Sequence, residues 1–172
     1  MISLLDNLFE ELKVFEGPIV IHWFRRDLRL QDNTALNKAL ASGYMVLPLY
    51  IFDEGILRNL EKDNIRMSFI LQALEQLNNE LAAYASGLRI VVGTPVLIFE
   101  KLTSLIPIKC VYINQDYEPY AIERDDKVQA ICIQKGVEFL GYKDQLIDWR
   151  WGEQWYAGKL LDYELSANNG NW

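Results

Sequence analysis

IVIHWFRRDLRLQDN, residues 19–33, decides how the rest of the chain is read. Its first six residues, Ile19–Phe24, are β-branched or aromatic, interrupted only by His22. Such a run, without polar alternation, belongs to a strand covered on both faces, as in a parallel sheet packed between helices. The next eight residues, Arg25–Asp32, hold three arginines and two aspartates, so the strand ends abruptly in a charged turn.

Working outward, similar runs recur at Met45–Phe52, Leu88–Val92, Cys110–Asn114 and Val137–Tyr142. The stretches between them read as helices. Asp32 is expected to cap a helix over Asn33–Ala41, with Gly43 as its left-handed stop. Arg66–Ser86 places Met67, Ile70, Leu71, Leu74, Leu77 and Leu81 on one apolar stripe, and Gly87 ends it. Thr94-Pro95 opens a helix to Leu105, and Pro119 opens another that Gly136 closes. Strand and helix in alternation predict an α/β fold over residues 18–146: a doubly wound (Rossmann-like) five-stranded parallel sheet with helices on both faces. Pro48 marks an edge or a bulge, because proline cannot donate to a ladder.

Both flanks differ from this core. Residues 1–17 put Leu4, Leu5, Leu8, Phe9 and Leu12 on one side and acids on the other, which predicts an amphipathic helix. Residues 147–172 carry four of the five tryptophans and read as a short C-terminal helical fragment, helical from Gly152 to Leu165.

The totals exclude several classes. No apolar run reaches the roughly 18–20 residues that span a bilayer. The N-terminus has acids where a secretory signal has a positive start, so a cytoplasmic location is expected. Cys110 and Cys132 lie in apolar runs without a nearby Cys or His, which argues against a disulfide framework and against a metal site. His22 is the sole histidine and falls inside a strand, away from the geometry of a nucleophile–histidine pair. A net charge of −7 does not suit a domain that grips DNA phosphates unaided.

Doubly wound sheets bind ligands beyond the carboxyl ends of their strands. Arg25, Arg26 and Asp27 are therefore candidate residues of a ligand crevice, because arginine recognises anions and stacks on heterocycles. The alternative is an internally salt-bridged turn that fixes the first helix. No G-x-G-x-x-G or G-x-x-x-x-G-K-[ST] is present, which disfavours dehydrogenase and NTPase chemistry.

WFRRDLRLQDN (Trp23–Asn33) resembles the photolyase–cryptochrome opening, a strand ending in WFR-x-DLR-x-x-DN. LPLYIFD (Leu47–Asp53) and YINQDYEPYAIERD (Tyr112–Asp125) are similar to two further segments of that family, in the same order. The resemblance implies an antenna domain holding a folate or a deazaflavin, which passes excitation to an FAD. Where some folate binders carry Asn-Glu after the Tyr-Glu pair, this chain has Tyr120-Ala121.

The tail DWRWGEQWYAGKLLDYELSANNGNW (Asp148–Trp172) is similar to a second family motif from the FAD-binding domain, which lies far downstream in full-length members. Matching positions imply that Asn168 faces the reactive flavin nitrogen and that Asp162 and Glu164 lie along the ring and ribityl. They imply Trp149 and Trp172 as two steps of an electron-transfer chain. A single helix cannot wall a flavin, so no FAD is expected on this chain and no catalysis by it alone.

The resemblance implies a truncated deoxyribodipyrimidine photolyase, which repairs cyclobutane pyrimidine dimers in damaged DNA with light. Competing readings are a cryptochrome-type photosensor fragment and a non-enzymatic α/β binding module. Self-association through the aromatic tail is a further expectation.

Overall fold

β1 (Ile19–Phe24) is buried along its whole length and lies at the centre of the sheet. The computed structural model describes residues 17–57 and 65–144. Around β1 stand β2 (Met45–Asp53), β3 (Arg89–Gly93), β4 (Ile108–Asn114) and β5 (Glu138–Tyr142), in the order β3-β2-β1-β4-β5. Every pairing is parallel. β1 and β2 run in unbroken register from Ile19↔Met45 to Phe24↔Tyr50, whereas β1 and β4 shift register between Ile19 and Val20.

The side chains of β1 divide by the period of two that a strand imposes. Ile19, Ile21 and Trp23 join the core built with α4 (Pro95–Leu105) and α5 (Pro119–Gln134). Val20 packs under α1 (Thr34–Ala41), and Phe24 meets α1 and α3 (Ile65–Ala82) on the opposite face. The helices thus cover both faces, as the alternation of runs predicts. Burial on both faces holds for β1, most of β2 and β4, while the edge strands β3 and β5 are partly exposed. One short helix, α2 (Glu54–Leu57), follows β2 without having been foreseen.

Four local expectations change. The cap of α1 is Asn33, not Asp32: the Asn33 Oδ1 accepts from the Leu36 amide at 3.0 Å, while Asp32 takes a left-handed φ of 51°. Aspartate tolerates that region better than most residues. Helix α3 ends at Ala82, and the left-handed residue beyond it is Ala85 (φ 53°) rather than Gly87. Leu71 is 52% exposed, because it sits a hundred degrees around the helix from Ile70 and leaves the stripe that buries Leu74, Leu77 and Leu81.

Pro48 lies in β2, an interior strand, yet pairing to β3 starts only at Leu49↔Arg89. At residue 48 the β3 side of β2 is still open, so the missing N–H costs no ladder bond there. The expected helix in residues 1–17 falls on 1–16 outside the described residues, as does the whole fragment 147–172.

Leu102, fully buried between α4 and the sheet, and Leu97, 60% exposed on the same helix, provide a check. Leu102→Ala is expected to lower unfolding free energy by about 2–5 kcal/mol in urea titration, and Leu97→Ala by far less.

Candidate functional site

The order of strands reverses between β1 and β4, and their carboxyl ends open the crevice where such sheets receive ligands. Its floor is a buried polar cluster. The Asp27 carboxylate accepts from Asn114 Nδ2 at 2.6 Å, from Asn33 Nδ2 at 3.2 Å and from the Arg25 amide at 2.9 Å. Asn114 Nδ2 also donates to Asn33 Oδ1 at 2.9 Å. The first three amides of α1 are each taken by a different side chain. Thr34 donates to Asp144, Ala35 to Asn114 and Leu36 to Asn33, at 2.8, 3.0 and 3.0 Å. These are donors that a helix cannot satisfy internally.

His22 lies beneath this cluster, fully buried, with its Nε2 3.7 Å from Asp27 and its ring edge-on to Phe24 at 4.2 Å. Burial pulls its pKa down to about 4 against the opposing pull of Asp27, so the ring is neutral near pH 7.

The wall of the crevice is built on Trp23. The guanidinium of Arg25 sits 5.5 Å from the Trp23 ring centroid and that of Arg124 sits 4.9 Å from it. Asp125 accepts from Arg25 and, at 2.9 Å, from Arg124 Nη2. Asp53 accepts the Tyr120 hydroxyl at 3.0 Å and the Gly55 amide at 2.9 Å, with Arg124 at 3.6 Å. Burial first, and the bond to Asp53 second, raise the Tyr120 pKa above the ordinary tyrosine value, so its hydroxyl stays a donor. A Cβ on Gly55 would stand 2.2 Å from that hydroxyl, so the close approach requires glycine.

The internally paired turn is not what forms. Arg25 binds Asp125, Arg26 binds Asp116 and Glu118, and Arg29 binds Asp144, all on elements distant in sequence. The one tie within the turn from these guanidinium groups is Arg29 Nη2 to the Asp32 carbonyl at 2.8 Å. Arg25 and Arg26 line the crevice, and Asp27 lies below it as a structural acceptor.

The crevice encloses about 390 Å³. It is lined by Trp23, Tyr50, Tyr120 and the arginines together with Leu28, Ile56 and Phe69. Arg25 is 93% buried as a side chain, yet its Nη2 has no hydrogen-bond partner among the described residues. A buried cationic donor without an acceptor is costly, and an acceptor on a bound molecule would relieve it.

Nothing here assembles a nucleophile and base. Burial pushes the thiols of Cys110 and Cys132 up to about 11 and about 12. Among the described residues no group of ligating side chains could hold a metal. No helix among them is long and apolar enough to cross a membrane. The arrangement suits the binding of a flat aromatic group carrying an anionic or carbonyl oxygen.

Asp53, Arg124 and Asp125 were not singled out by the sequence as crevice residues, and Tyr120 was noted only as a departure from the folate pattern. Their signal is the acid that closes the second strand run and the Arg-Asp pair one helical turn into α5. The positions Trp149, Asp162, Glu164, Asn168 and Trp172 lie outside the described residues.

A family model described as DNA photolyase matches residues 20–151. Cryptochrome-1 of Drosophila melanogaster is 34% identical over 124 residues, which are 69% of this chain and 23% of that protein. Deoxyribodipyrimidine photo-lyase of Synechococcus is 31% identical over 128 residues, 74% of this chain and 26% of its own. The chain spans about a quarter of the length of these curated relatives. Among solved structures, an archaeal photolyase from Sulfolobus tokodaii with two FAD molecules superposes with a TM-score of 0.65 at 34% identity, covering 72% of this chain and 29% of that one. A Synechocystis cryptochrome gives 0.68 at 25% identity, covering 74% and 27%.

The buried His22 makes a prediction about pH. Its folded pKa, about 4, lies below the ordinary 6.5, so the unfolded chain takes up this proton first as pH falls. Its contribution to stability is whole above about 6.5 and is lost progressively down to about 4. Unfolding free energies measured from pH 7.5 to 4 are expected to decline less steeply for His22→Gln than for the wild type.

Proposed function

This chain belongs to the DNA photolyase family, and from that premise we propose that its α/β domain is the light-harvesting module of a photolyase acting on cyclobutane pyrimidine dimers. One observation carries the reading: a crevice of about 390 Å³ at the sheet's switch point that gathers Arg25, Arg26 and Arg124 with Tyr50, Tyr120 and Phe69. Such guanidinium groups fit a carbonyl or phosphate oxygen of an antenna chromophore, and the aromatic side chains fit the seat of a planar ring.

Tyr120-Ala121 offers one phenol and one methyl where a pterin asks for several paired donors and acceptors. That favours a flavin or deazaflavin ring over a folate. The Sulfolobus tokodaii photolyase, with its two FAD molecules, supports the same preference. The chromophore supplies light absorption. This chain supplies the seat, the exclusion of water and the fixed orientation.

Repair itself, and the grip on damaged DNA, are assigned to the remainder of the full-length relatives. The segment Asp148–Trp172 follows β5 almost directly. In this reading Asp162, Glu164 and Asn168, with Trp149 and Trp172, are positions of a flavin site that one segment cannot wall off, and residues 1–172 by themselves are catalytically silent. The Asn168-Asn169-Gly170 turn favours dimer repair over photosensing. A cryptochrome-type sensor is the second reading, supported by the identity to the Drosophila protein.

Titration of the purified chain with FMN, a deazaflavin and a methenyl folate, followed by tryptophan fluorescence, tests the proposal. The first two are expected to bind and the folate to bind at least tenfold more weakly. Arg25→Met, checked for folding by circular dichroism, is expected to weaken ring binding about tenfold, the loss of one charge-assisted hydrogen bond. Binding indifferent to Arg25→Met, or no binding at all, would overturn the assignment. A yellow preparation carrying FAD whose retention depends on Asn168 would overturn the catalytic silence.

A further inference from the structure

Three oxidisable rings line the crevice, Trp23, Tyr50 and Tyr120, and their surroundings differ. Trp23 is 1% exposed, with the guanidinium groups of Arg124 and Arg25 at 4.9 and 5.5 Å from its ring centroid. Loss of an electron would leave a positive charge on the indole, and cations that close oppose a further one. Loss of an electron from a phenol turns its hydroxyl into a strong acid, so the electron leaves easily only where the proton has a base to receive it. Tyr50 is buried, and among the described residues no carboxylate stands within hydrogen-bond reach of its hydroxyl.

Tyr120 has both requirements. Its side chain is 46% exposed along the crevice, and its hydroxyl lies 3.0 Å from each carboxylate oxygen of Asp53. Over that heavy-atom distance a proton transfers directly. Asp53 is itself buried and held in place by the Gly55 amide at 2.9 Å and by Arg124 at 3.6 Å, so the acceptor is fixed before any transfer begins. Burial and the bond to Asp53 keep the phenol protonated in the resting state, so it meets a ligand with its proton in place.

We propose that Tyr120 is an electron donor to a photoexcited isoalloxazine-type ring held in this crevice, with Asp53 receiving its proton. The inference rests on the reading of the crevice as a chromophore seat. The step balances within the site: Tyr120 gives one electron to the excited ring, its O–H bond breaks, the proton passes to Asp53, and Tyr120 is left as a neutral radical. Return of the electron to Tyr120 and of the proton from Asp53 restores the resting state. Each such cycle releases the excitation as heat, so the pair is a quencher built into the seat and competes with energy transfer out of it.

Two measurements test this, one without any ligand. On the ligand-free chain, a flash-generated ruthenium polypyridyl oxidant with a radical trap reports oxidation residue by residue through mass spectrometry. Trapping at Tyr120 relative to the exposed Tyr84 is expected to fall about tenfold in Asp53→Asn, which keeps an acceptor oxygen but is no base. An unchanged ratio would overturn the Tyr120–Asp53 assignment whatever the crevice binds. On the chain carrying FMN, the flavin fluorescence lifetime is expected to lengthen about tenfold in Tyr120→Phe and several-fold in Asp53→Asn, both checked for folding by circular dichroism. Heavy water is expected to lengthen it in the wild type and not in Tyr120→Phe. A lifetime indifferent to Tyr120→Phe, or a tryptophanyl instead of a tyrosyl radical in transient absorption, would overturn the inference while leaving the seat intact. FMN that fails to bind would overturn the seat, and the inference with it.

Discussion

The carboxylate of Asp27 is the constraint on which the rest of the site depends. It lies 8% exposed beneath the crevice and draws together the Arg25 amide and the side chains of Asn33 and Asn114. Through Asn114 it ties β4 to the start of α1, and through Asn33 it fixes where α1 begins. A buried carboxylate is tolerable only when its lone pairs are filled, and here polar donors fill them without a direct cation. The turn after β1 is therefore held from below. Its arginines are left to face upward, where they find acids supplied from the β4–α5 loop, from α5 and from the residues after β5.

That arrangement explains why the fold was readable and the site only half so. β1 and β4 announced themselves because each is buried on both faces and carries no alternation. The helix boundaries followed proline and left-handed glycine where those residues do the local work, as at Pro95, Pro119, Gly43 and Gly136. They failed at Asp32 and Ala85, where tertiary bonds or a tight turn impose a left-handed φ on residues other than glycine. Pro48 signalled an edge or a bulge, and the staggered start of β3 makes this interior strand locally an edge there.

The crevice exceeded its sequence signal because its acids are non-local. Arg25 and Asp125 stand one hundred positions apart, and no spacing rule pairs them. Local reading suggested ion pairs within the turn, which are weak and solvated. The sheet instead brings Arg25 and Arg124 to opposite sides of one carboxylate and over one indole. Arg124 also lies 3.6 Å from Asp53, so two guanidinium groups and two carboxylates form one cluster, within which the Nη2 of Arg25 is left without a hydrogen-bond partner among the described residues.

Asp144 is gripped twice, by Arg29 from the crevice rim and by the leading amide of α1. It is a hitching post: through it the end of the last strand, the first turn of α1 and the arginine-rich turn are pinned to one another, so that a pull on any of the three is felt by the other two.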